Sequence, residues 1–119
     1  MVKNPDCDES VMGNIISLPI TSAGTTLVFP FSTRVASLVG YFDKPTNSAT
    51  LPLISIYDAK QTDTLPATAK FVFIPTHEKD KESGATFDIN LQGTLFTKGI
   101  VVVVGSFTGS TGALYITHD

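Results

Sequence analysis

Residues 95–104 read LFTKGIVVVV, and this stretch decides the fold. Its second half is the longest apolar run in the chain, and four of its five residues are valine. β-Branched side chains are stiff at χ1 and pack well on a pleated surface, so the run specifies a strand. It is too short to span a membrane as a helix, which takes about 20 apolar residues. An unbroken apolar run of this length fits a strand covered on both faces. Gly99 and Gly105 bracket it, and Thr97-Lys98-Gly99 reads as a tight turn leading in. Left on an open edge, such a strand would template aggregation, so the fold or a partner subunit must cover it.

Outward from this strand, the remainder of the chain has the same character. Residues 15–20 carry strand signals, and Thr21-Ser22-Ala23-Gly24 is a turn. Residues 25–31 alternate, which places Leu27, Phe29 and Phe31 on one face and Pro30 at an edge or bulge. Residues 35–42 form the next strand, with Gly40 as a bulge or a point of close backbone approach. Residues 50–57 place Leu51, Leu53 and Ser55 on one face and Ile54 and Ile56 on the other. A short aromatic strand follows at 70–74. Residues 85–91 then alternate, with Phe87, Ile89 and Leu91 inward and Asp88 outward. Residues 113–117 form the last strand, with Leu114 and Ile116 sharing a face.

About eight strands at spacings of roughly 8–12 residues, with no helical periodicity, predict an all-β chain. The expected architecture is a single-domain antiparallel β-sandwich or jelly roll over residues 15–119. The 16 threonines suit sheet rather than helix. Residues 1–14 differ: they are acidic, polar and broken by Pro5, and read as an extended N-terminal arm. Val11 and Met12 give that arm an apolar patch, either a docking point for a neighbour or part of an unanchored terminus.

The totals narrow the function. The 119 residues make one domain, with 42% hydrophobic and only 16% charged residues. That charge content is below the usual quarter, which suggests a surface not built only for solvation. A net charge of −3 argues against nucleic acid and against anionic membrane surfaces as partners. Cys7 is the only cysteine, which excludes an internal disulfide and a cysteine metal cage. With no apolar leader visible, synthesis in a reducing cytoplasm is the expectation.

Catalytic constellations are scarce. His77 and His118 lack metal-ligand spacing and read as solvated histidines, the second at the tail of the chain. No G-x-S-x-G elbow or P-loop is present. The acidic residues fall mostly in loops, where aspartate is a turn former. Asp6, Asp8 and Glu9 offer oxygen ligands without the glycine and spacing of a calcium loop. The expectation is therefore no enzyme, no cofactor and no metal. Tyr41, Tyr57 and Tyr115 are the remaining candidates for sugar stacking, but all lie in or at the ends of strands, where core or interface packing is the stronger reading. The charged segment 75–84 is a solvated connection or a source of salt links to a neighbour. Phe107, alone in a Gly/Ser/Thr loop, is either a plug folded back on the core or an interface anchor.

Three segments carry a family resemblance. Ser55-Ile56-Tyr57-Asp58-Ala59 is followed by Gly93-Thr94-Leu95-Phe96-Thr97-Lys98-Gly99-Ile100-Val101-Val102-Val103, and then by Ala113-Leu114-Tyr115-Ile116-Thr117. This resembles the small β-sandwich structural proteins of tailed bacteriophages. In these a "lYDa" strand end, a "G-x-x-F-x-x-G-[ILV]-x-V" strand entry and an aromatic final strand recur. The resemblance covers residues 15–119. It implies a virion component without enzymatic activity: a capsid decoration (cement) protein, or a head or tail accessory protein. Such a protein is made in the bacterial host cytoplasm and sits on the capsid surface, often as a homotrimer, binding the major capsid protein. Val11, Met12 and Phe107 are then the candidate interface residues. The rival reading is a jelly-roll carbohydrate- or receptor-binding module of a phage tail, which would need exposed aromatic or Asp/Asn groups.

Overall fold

The computed structural model describes residues 13–43, 50–75 and 85–119. Eight strands follow in chain order: β1 (Asn14–Ile20), β2 (Gly24–Phe29), β3 (Thr33–Phe42), β4 (Ile54–Asp58), β5 (Phe71–Phe73), β6 (Ala85–Phe96), β7 (Ile100–Val104) and β8 (Gly112–His118). They form two four-stranded sheets, ordered β1-β8-β3-β6 and β2-β7-β4-β5, and every pairing is antiparallel. The chain is an all-β sandwich, as its strand spacing predicts.

The pairing explains the wrapping. First pairs with last (β1·β8), second with seventh (β2·β7), third with sixth (β3·β6) and fourth with fifth (β4·β5). This is a long antiparallel ribbon folded over on itself, with its strand pairs dealt alternately to two sheets. It is the jelly-roll order. Two further ladders, β3·β8 and β4·β7, close the sheets.

The core lies between the sheets. Ile20, Val35, Leu38, Phe42, Phe96, Leu114 and Ile116 from one sheet meet Ile54, Ile56, Ile100, Val102 and Val104 from the other. β7 is covered as its composition requires: Ile100, Val101 and Val102 have no exposed surface. Burying each such side chain contributes about 1.5–3 kcal/mol, which makes β7 the best-anchored element of its sheet. Gly40 is a point of close approach, because a Cβ there would strike the Ala113 carbonyl and the Phe87 ring. No register shift falls at Gly40; the one in β3 lies between Val35 and Ser37.

The structure also departs from the sequence reading. The alternation of Leu27, Phe29 and Phe31 does not survive. A register shift between Leu27 and Phe29 turns both Val28 and Phe29 onto the core. Leu27 is left 37% exposed, and Phe31, beyond the strand, 66%. β4 begins at Ile54 rather than near Thr50, which makes only an isolated bridge to Thr108. β6 runs on to Phe96 through a bulge at 91–93. There Gln92 takes a left-handed conformation (φ 54°), held by its N–H donating to the Asn90 side chain at 2.8 Å. β1 starts at Asn14, one residue inside the segment read as the arm. Val11, Met12 and the charged residues 76–84 lie outside the described residues.

Candidate interaction surfaces

Turn chemistry first links two segments of the family resemblance. Asp58, at the end of β4, receives the backbone N–H groups of Thr97 (3.0 Å), Lys98 (2.8 Å) and Gly99 (3.4 Å) and the Thr97 hydroxyl (3.0 Å). Ala59 N–H returns a bond to the Gly99 carbonyl at 3.2 Å. Partial burial pushes the Asp58 carboxyl up, but these donors outweigh it and hold it below the ordinary aspartate range. Asp58 thus pins the 97–99 turn that carries the chain from one sheet to the other. Its oxygens are engaged with backbone rather than poised for acid–base chemistry.

His118 corrects the sequence reading. It is only 3% exposed, because β8 is an inner strand between β1 and β3. Its ring packs on Phe29, with centroids 4.4 Å apart, and its Nδ1 lies 3.1 Å from the Thr33 hydroxyl. That hydroxyl has one proton and faces two acceptors on Asp119, the carboxylate at 2.7 Å and the backbone carbonyl at 3.3 Å. The proton goes to Asp119, so Thr33 accepts from Nδ1–H of His118. Arg34 N–H also donates to the Asp119 carboxylate, at 2.9 Å. The Thr33 hydroxyl and this N–H hold the Asp119 carboxyl below its ordinary range. A Thr–His–Asp trio invites a catalytic reading, but the hydroxyl proton points away from the histidine, and both Thr33 and His118 are buried. The arrangement ties β8 to β3.

Phe107 is half-buried and packs edge-to-face on Phe42, centroids 5.8 Å apart. Its ring plugs the end of the core, and what it offers a neighbour is its remaining exposed edge.

The two outer faces of the sandwich differ in chemistry. On the sheet β2-β7-β4-β5, the side chains facing away from the core are Thr25 and Leu27, Val101 and Val103, Ser55 and Tyr57, and Val72. None is charged. Leu53 (48% exposed) and Ile74 (55%) extend this face alongside Val72 (49%). On the sheet β1-β8-β3-β6, the outward rows are Ser17–Tyr115–Val39–Asp88 and Pro19–Ala113–Tyr41–Thr86. Here Val39, Tyr41, Thr86, Asp88 and Tyr115 surround an open cleft of about 410 Å³. A second cleft of about 260 Å³ lies by Asp58, Lys60, Thr64, Leu65 and Lys98.

Among the described residues no group of three His, Cys, Asp or Glu side chains is placed to hold a metal ion. No helix there is long and apolar enough to cross a membrane. No protein-family model, curated protein or solved structure matches the chain.

Proposed function

We propose that this chain is a non-enzymatic virion structural protein of a tailed bacteriophage, a capsid decoration (cement) protein. In this reading it stabilises the phage head by binding major capsid protein neighbours and copies of itself as a homotrimer. One observation carries the reading: among the described residues, the strand side chains on the outer face of the sheet β2-β7-β4-β5 are uncharged, and Leu53, Val72 and Ile74 stand about half exposed there. Apolar area of this kind is what subunit contacts use, and a stable contact needs roughly 800 Å² per partner. The jelly-roll order supports the reading by analogy, since viral capsid domains use it, although lectin domains use it too.

The mechanism is mechanical. A rigid sandwich presents the exposed side chains of Leu53, Val72 and Ile74 to its neighbours, and many weak copies on one particle add avidity. Phe107, braced on Phe42, contributes an aromatic edge at the rim.

Replacing Leu53 and Val72 together by lysine tests this. Both side chains are about half exposed, so the fold should tolerate the change within about 1 kcal/mol. The double variant is expected to keep its melting temperature but to stop sedimenting with assembled coat-protein shells. Co-sedimentation equal to that of the native chain would contradict the proposal.

A further inference from the structure

The other outer face carries a different chemistry. Tyr41 is 39% exposed and Val39 likewise, on a strand flanked by β8 and β6. Tyr41 pairs with Ala113, and Val39 pairs with Tyr115, so the two tyrosines stand diagonally across adjacent strands. Their Cα atoms are then roughly 7–8 Å apart, within reach of one ligand for side chains of this size. Thr86 and Asp88, both exposed on β6, close the third side of the cleft. The side chains of Tyr41, Tyr115, Thr86 and Asp88 make no hydrogen bond or ion pair among the described residues. The sequence offers Tyr41 and Tyr115 as sugar candidates, with core or interface packing as the stronger reading. The structure leaves Tyr41 substantially solvated at the cleft.

We propose that this cleft binds a neutral saccharide, stacked on Tyr41 and Tyr115 and hydrogen-bonded by Asp88 and Thr86. Four observations select that class. Tyrosine offers an apolar ring with a polar tip, and a pyranose offers apolar C–H faces rimmed by hydroxyls. A carboxylate without a cation beside it accepts hydroxyl protons well. Among the described residues no lysine or arginine lines the cleft, so phosphate, sulfate and uronate groups meet Asp88 there without a counter-charge. Its tyrosines stand on β3 and β8, the two inner strands of the sheet, so a peptide strand added at the free edge of β6 would lie beside the rings rather than on them. Its volume of about 410 Å³ falls in the range of small-molecule sites, roughly 300–1,000 Å³. The inference does not rest on the capsid reading, which uses the opposite face.

The test is a titration of the isotopically labelled full chain, followed by backbone amide shifts. The probes are tetrasaccharides of glucose, galactose and N-acetylglucosamine. One of them is expected to move the amides of Val39, Tyr41, Thr86, Asp88 and Tyr115 saturably, with a dissociation constant in the region of about 1 mM. Tyr41→Ala and Asp88→Asn should each weaken it about tenfold, a loss of about 1.4 kcal/mol. Because these side chains are exposed, the melting temperature should stay unchanged. The proposal is overturned if no probe gives saturable shifts, if the shifts map elsewhere, or if both variants bind as well as the native chain. Concentration-dependent broadening of the same amides without sugar would assign the face to contacts between copies and would equally overturn it.

Discussion

Asp58 shows how much one side chain can organise. Its carboxylate gathers three backbone N–H groups and a hydroxyl at the turn where the chain changes sheets. Asparagine keeps one acceptor oxygen but points an NH₂ group at donors. Asp58→Asn should therefore cost about 1–3 kcal/mol of unfolding free energy at neutral pH, measured by urea denaturation. The pH dependence follows from the lowered carboxyl. A carboxylate depressed on folding adds stability above its unfolded value, about 3.9, and loses it as pH falls through the lower folded value. The gap between native chain and variant should thus be full at pH 7 and shrink below about pH 4. Asp119, held down by Thr33 and Arg34, adds to acid sensitivity in the same direction. A variant as stable as the native chain at neutral pH would remove Asp58 from this role.

At the scale of elements, the tightest constraint is the β3·β8 contact. Gly40 faces the Ala113 carbonyl and the Phe87 ring with no room for a methyl group. Gly40→Ala must push the strands apart and should cost about 1–3 kcal/mol, read by thermal denaturation. Neutral behaviour would mean that β3 and β8 are not packed as described. These elements also show what residues disclose by themselves. β7 was legible because a run of β-branched residues between glycines has one comfortable conformation, and its full burial follows. Gly40 was legible as a place of close approach. The face of β2 was not, because the shift between Leu27 and Phe29 comes from its pairing with β7, many residues away. The length of β6 was hidden by Gln92-Gly93, a turn signal that here makes a bulge inside a continuing strand. His118 was misread because its place late in the chain says nothing of lying on an inner strand. The tyrosine cleft was half legible: its rings could be named, but the company of Asp88 and Thr86 depends on β6 lying beside β3.

At the scale of the molecule, the jelly-roll wrapping converts a sequence with little charge into a body with two unlike faces. One, among the described residues, carries no charged strand side chain and exposes Leu53, Val72 and Ile74; the other sets tyrosines and a carboxylate around a cleft. An aliphatic sheet face is stable in water only at a cost that association relieves, and that is the physical basis for the assembly reading. The most direct measurement is the native mass by light scattering coupled to size exclusion, taken over a dilution series. The account predicts three times the 12.7 kDa of one chain. A mass of one chain at every concentration would contradict it.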